Sequence, residues 1–184
     1  MIMKRILSIT FIGIILSCAV ETTPSEIDIF DVRYDSLILS QESFEEIGFK
    51  ISKEYDVSNL PDALGAYYGF WGQNDFERRE FEIRFYPSNE IAKSSGKFFA
   101  EEATGEDAII KKSDATWKEG VKDRRFVGPF GTSKNRSKYL DYVFFGNVII
   151  LCPSEKSRAR GAVGAADPLE NCRNLISELS KIKK

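Results

Sequence analysis

The chain has no histidine among its 184 residues. That absence removes Ser-His-Asp and Cys-His catalysis, every His-ligated zinc or iron site, and the side chain that most often changes charge near neutral pH. Cysteine is scarce: there are three, none in the CxxC spacing of a redox-active pair. No apolar run approaches the roughly 20 residues that a membrane-crossing helix needs. The longest, Ile6–Leu16, is interrupted by Ser8, Thr10 and Gly13. Walker spacing and an EF-hand loop are also missing, so no cofactor or metal is expected. What remains is ordinary for a folded protein. A hydrophobic fraction of 42% against 29% charged residues argues against wholesale disorder, and the length suits one domain with a tail.

Lys4 and Arg5 precede the short apolar run, which is the layout of a secretory signal. The run closes in Ile15-Leu16-Ser17-Cys18, a tetrapeptide that resembles the lipobox of bacterial lipoproteins. In that family the cysteine thiol is diacylglycerated and the signal is cut ahead of it. The resemblance therefore implies a signal at 1–17, a lipidated Cys18 with a short polar tether to residue 26, and a single domain over 27–184. Two or three acyl chains, at about 0.8 kcal/mol per buried CH₂, make a durable anchor. Ala19 stands where the family's inner-membrane retention signal places Asp, so the resemblance implies the outer membrane if the host has one. The competing reading is a plain signal, since Ser17-Cys18-Ala19 also fits a small-x-small cleavage site.

Export would leave Cys152 and Cys172 in an oxidising compartment, where a structural disulfide is expected. Cys152 ends the apolar run Val148–Cys152, which reads as a buried strand. Cys172 lies on a helix announced by Asp167 as N-cap, Pro168 at the first helical position and Glu170 in a capping box. Leu169, Cys172, Ile176, Leu179 and Ile182 form the apolar stripe of that helix.

Elsewhere, the partial alternation over Asp28–Leu39 suggests an edge strand. Ser40–Tyr55 has Phe44, Ile47, Ile51 and Tyr55 near helical spacing, with Gly48 against it. Leu64–Trp71 could be helix or strand. Glu80–Tyr86 is a strand with Phe81, Ile83 and Phe85 on one face and Glu82, Arg84 and Tyr86 on the other, solvated one. A helix follows from Asn89 to about Thr104, with Ile91, Ser95, Phe98 and Glu102 marking its rows. Tyr139–Phe145 and Val148–Cys152, joined by Gly146-Asn147, give the strongest hairpin pattern. The expected class is α+β: an antiparallel sheet in ββα-like units, with helices packed mainly on one face.

A two-residue turn pairs Phe145 with Val148, Val143 with Ile150 and Asp141 with Cys152. The opposite hairpin face, Leu140, Tyr142, Phe144, Ile149 and Leu151, is also apolar and needs a cover. Either the irregular segment 105–138 supplies it through Trp117, Phe126 and Phe130, or a groove stays open for a lipid, peptide or protein.

Charge is segregated, with a net of −12 over residues 21–110 and +6 over 111–138. The basic segment either docks on the acidic half or meets anionic envelope material such as lipid head groups or acidic polysaccharide. Nucleic acid does not fit an exported, net-negative chain. The candidates for ligand or partner contact are Arg84, Tyr86, Arg124, Arg125, Tyr142 and Phe144. No catalytic residue stands out. The expectation is a lipid-anchored, non-enzymatic binding module of the cell envelope, outside the cytoplasm. The alternatives are a small hydrolase using carboxylate or Lys/Ser chemistry and a structural envelope-assembly partner.

Overall fold

The structure is a computed structural model describing residues 32–126, 136–153 and 167–182. The signal, Cys18, the tether, residues 28–31, Phe130 and the loop 154–166 lie outside the described residues. Where an edge strand was expected, Val32–Tyr34 forms one 3₁₀ turn instead. Helix α1 (Gln41–Glu46) follows, then strands β1 (Lys50–Tyr55), β2 (Gly65–Trp71) and β3 (Arg79–Phe85). A helical stretch comes next, made of α2 (Asn89–Ile91), a π turn (Ala92–Gly96) and α3 (Lys97–Ala103). Strands β4 (Tyr139–Phe145) and β5 (Val148–Pro153) and helix α4 (Pro168–Ile182) complete the order. The five strands form one antiparallel sheet ordered β1-β2-β3-β5-β4. The fold is α+β, as the sequence implies.

The helix expected over Ser40–Tyr55 is instead a short helix and an edge strand. Gly48, at φ +82°, takes the left-handed position that stops α1. Its N–H reaches Glu45 O at 2.9 Å and the Phe49 N–H reaches Phe44 O at 3.0 Å, the paired bonds of a Schellman stop. The Phe44 and Phe49 rings meet edge-on across it, 5.6 Å between centroids. Beyond the stop the chain extends, and the spacing of Ile51 and Tyr55 is that of a mostly exposed strand. Leu64–Trp71, left open by its sequence, is strand β2.

Two apolar layers sandwich the sheet. On the first face Phe81, Ile83, Phe85, Val143, Phe145, Val148 and Ile150 pack under α1 and α4, with Leu175, Ile176 and Leu179 from α4. The Cys152–Cys172 disulfide fastens α4 to β5, with Cα atoms 5.5 Å apart. Asp167 caps α4 by accepting the Leu169 N–H at 2.9 Å. The hairpin register is the expected one: Phe145↔Val148, Val143↔Ile150 and Asp141↔Cys152.

The second face is covered by the helical stretch 89–103 and the segment after it. The helix presents its small residues to the sheet: Ala92, Gly96, Ala100 and Ala103 are buried against Tyr86, Ile149 and Leu151. Of the rows expected, Ile91 is half-buried against this layer, whereas Phe98 faces out and is 57% exposed. Gly96 makes this close approach possible. A Cβ there would sit 2.5 Å from Tyr86 Oη and from Ile149 Cδ1.

Candidate functional site

Sheet alternation puts Glu80, Glu82, Arg84 and Tyr86 on the second face of β3. Alternation alone reads them as solvated; the fold buries three of the four. Glu82, Arg84 and Tyr86 are 0% exposed, which corrects the expectation that Arg84 and Tyr86 lie open for a ligand. Arg124, expected on a basic loop, is also inside, at 1% exposure. The physical reason is a cover that runs without helical or strand periodicity, residues 111–125, folded over β1–β3.

The centre of this layer is one carboxylate shared by two guanidinia. Arg84 Nε donates to Glu82 Oε1 at 2.8 Å, and Arg84 Nη2 lies 2.7 Å from the same oxygen. Arg124 Nε donates to Oε2 at 3.0 Å and its Nη2 to Oε1 at 3.2 Å. Arg124 Nη2 also donates to Glu119 O at 2.9 Å, tying the cover to itself. Trp117 seals the group: the Arg84 and Arg124 guanidinium carbons lie 4.9 and 5.0 Å from its ring centroid. Trp117 is held by its Nε1–H donating to Asp56 O at 3.2 Å and by the edge-on Tyr55 ring.

Burial pushes the Glu82 carboxyl up, but the Arg124 and Arg84 guanidinia outweigh it and hold the carboxyl below its usual range. Burial raises the phenols of Tyr55, Tyr86 and Tyr139, the nearby Glu82 carboxylate reinforcing it, so all three stay neutral. The triad carries a net positive charge. Arg84 Nη1 and the Tyr86 and Tyr139 hydroxyls have no hydrogen-bond partner among the described residues. Outer ion pairs flank it, Lys53 with Asp123 and Lys138 with Glu80, and Tyr55 donates to Asp123 Oδ2 at 2.9 Å. Arg124 and Lys138 thus tie the described parts of the basic segment to Glu82 and Glu80 of the acidic half. With its carboxylate sealed from solvent, the triad fastens the cover to the sheet and offers no open reactive group.

Three of the six contact candidates remain at the surface. Arg125 is exposed and, with Lys111, Glu106, Asp107, Ala108 and Ile110, lines a cavity of about 370 Å³. That lining mixes both charge signs and makes no positive patch. Tyr142 and Phe144 are half-buried neighbours on β4, with ring centroids 5.5 Å apart. The Tyr142 hydroxyl donates to Glu101 Oε1 at 3.5 Å, and Glu101 pairs with Lys97 at 2.9 Å. Strand β4 is an edge of the sheet, and among the described residues no strand pairs with its outer side.

Sequence reasoning placed Glu82 on the correct face of β3 but read it as solvated and did not count it among the site residues. The apolar second face of the hairpin is covered by the helical stretch 89–103 and not by the segment 105–138 that the sequence offered for it; Trp117 packs instead with Tyr55, Leu60, Ala66 and Tyr68 over β1 and β2.

Residues 40–181 match a family of unknown function (DUF6810), and the chain belongs to that family. No curated protein matches the chain, and no solved structure does.

Proposed function

We propose that this member of the family is a non-enzymatic binding module, held at a membrane of the cell envelope by a lipid on Cys18, with β4 as its contact strand. The observation that carries the reading is the pair Tyr142 and Phe144, half open on an edge strand whose outer side is unpaired among the described residues. An edge strand carrying two aromatic rings suits an extended polypeptide segment of another envelope protein, added as a further strand in place of the Asp141 carboxylate that now accepts the Tyr142 N–H at 2.8 Å. Asp141 is the single charged residue on β4, so an acidic polysaccharide finds no cationic surface there. The disulfide between β5 and α4 fits the oxidising compartment that the lipobox resemblance implies.

The test is a photo-crosslinking residue placed at Tyr142 or Phe144 in the native host. Phe76, 89% exposed in the β2–β3 connection, serves as the control position. Discrete protein adducts from the two β4 positions and none from position 76 are expected. Identical adducts at all three, or none at β4, would overturn the contact strand. For the anchor, C18S should release the protein from membranes and abolish its labelling by palmitate. A variant that stays acylated and membrane-bound would refute that half of the reading.

A further inference from the structure

The chain enters its fold at one particular end of the sheet. Tyr34 packs on Phe145 with ring centroids 4.8 Å apart, immediately before the β4–β5 turn. Residues 37–39 are laced to Asn147 in that turn. The Asn147 N–H donates to Leu37 O at 3.1 Å, the Leu39 N–H donates to Asn147 Oδ1 at 2.7 Å, and Asn147 Nδ2 donates to Leu39 O at 3.2 Å. Asn147 Nδ2 also donates to Tyr86 O at 2.8 Å, which places the exit of β3 at the same end. The start of β2 is there too, since the Leu64 N–H donates to Phe85 O at 2.8 Å.

Four large apolar side chains stand exposed among the described residues: Ile38, Leu64, Phe76 and Phe98. Ile38, 55% exposed, and Leu64, 67% exposed, both belong to the entry end. β2, β3 and β5 are successive strands, so Leu64 and the Asn147 turn are separated by two strand spacings, about 10 Å. Phe76 lies in the connection at the far end of β2 and β3, and Phe98 lies on α3. Charges near the entry end are of both signs and partly matched. Asp35 pairs with Lys93 at 3.0 Å, and Asp62 accepts from Ser95 Oγ at 2.6 Å. An attraction specific to anionic head groups has no basis there; an apolar contact does.

Thirteen residues separate Cys18 from Val32. Even fully extended they span no more than about 50 Å, so a lipid on Cys18 keeps the entry end at high local concentration near the bilayer. We infer that Ile38 and Leu64 enter the acyl region of the membrane that carries the anchor. This seating rests on the lipid-anchor reading of Cys18. Lipid, Ile38 and Leu64 make three attachment points, which fix the orientation of the domain. The β4–β5 turn faces the membrane, the β2–β3 connection points away, and the outer side of β4 is presented laterally.

The chain from Cys18 onward tests this, with its Cys18 thiol coupled chemically to a maleimide lipid in neutral phosphatidylcholine vesicles. An environment-sensitive fluorescent amino acid is encoded at position 38, 64 or 76, and the vesicles contain lipid brominated on its acyl chains. Loss of emission at positions 38 and 64, with emission at 76 retained, is the expected result. No quenching at 38 and 64, quenching at one of the two alone, or equal quenching at 76 overturns the seating. Because the anchor is supplied in vitro, the outcome does not depend on cellular lipidation, and palmitate labelling of the native protein reports separately on Cys18.

Discussion

Replacing Glu82 by glutamine keeps the shape of the side chain and removes the single negative charge that two buried guanidinia share. In the intact protein Glu82 and Arg84 are 0% exposed and Arg124 is 1% exposed, so water cannot compensate the loss. Removing one partner of a buried pair costs about 3–5 kcal/mol. Two cations depend on this carboxylate, through Arg84 Nε at 2.8 Å and Arg124 Nε at 3.0 Å, which places E82Q in the upper half of that range. At about 2–4 °C per kcal/mol for a chain of this size, the melting temperature should fall by roughly 10–15 °C. Arg84→Met is the internal comparison. It removes the surplus charge and the unpartnered Nη1 while leaving the two-pronged Arg124–Glu82 pair in place. An apolar replacement of that kind should cost less than about 2 kcal/mol. Urea unfolding followed by far-UV circular dichroism measures both variants. The pH profile adds a second check. The folded-state value of Glu82 is depressed, so its contribution is complete above the unfolded carboxyl value of 4.5 and drains away as pH falls through the folded value. E82Q should lose that acid-sensitive component. A glutamine variant as stable as the parent, or an R84M variant that loses as much as E82Q, would refute the shared-carboxylate account.

Other perturbations read other parts of the fold. Thiol titration of denatured, unreduced protein should find Cys152 and Cys172 blocked; reducing or replacing the pair opens a 20-residue separation and should cost about 3 kcal/mol in urea unfolding. Gly96→Ala forces a methyl to within 2.5 Å of Tyr86 Oη and Ile149 Cδ1, and a loss of about 1–3 kcal/mol is expected, with thermal melting as the readout. Asn147→Ala leaves the Leu39 N–H and the carbonyls of Leu39 and Tyr86 without their buried partner, which should cost about 2–4 kcal/mol and speed amide exchange at Leu39. Unchanged exchange at Leu39 would show that the turn does not hold the entry segment.

The C-terminal third of the fold was legible because its signals are local and agree with one another. A two-residue turn set the β4–β5 register, Asp167 marked the start of α4, and Cys172 fell on its apolar stripe. β1 was hidden because Lys50–Tyr55 buries little beyond Tyr55, and an edge strand with so few apolar positions can mimic helical spacing. On β3 alternation assigned Glu82, Arg84 and Tyr86 to the correct face and misjudged their burial. Whether a polar face meets water or a cover depends on tertiary structure. Here the cover is an aperiodic segment held by charge, through Arg124 and Asp123, and aperiodic segments leave no hydrophobic pattern to read. The same limit applies to the contact candidates: residue type proposed six, and burial withdrew Arg84, Tyr86 and Arg124.

The strand order β1-β2-β3-β5-β4 has a consequence for the life of the chain before it is complete. Synthesis proceeds from the N-terminus, so the meander β1–β3 can pair fully while β5, its other neighbour, does not yet exist. During that interval β3 is an unprotected edge with Phe81, Ile83 and Phe85 on one face, the kind of strand that recruits other chains. Glu82 and Arg84 sit on the same strand, and before the cover arrives both are hydrated charges. The pair that is expensive to bury in the finished protein then serves as a gatekeeper for the unfinished one, and its desolvation is deferred until β5 and Arg124 are there to receive it.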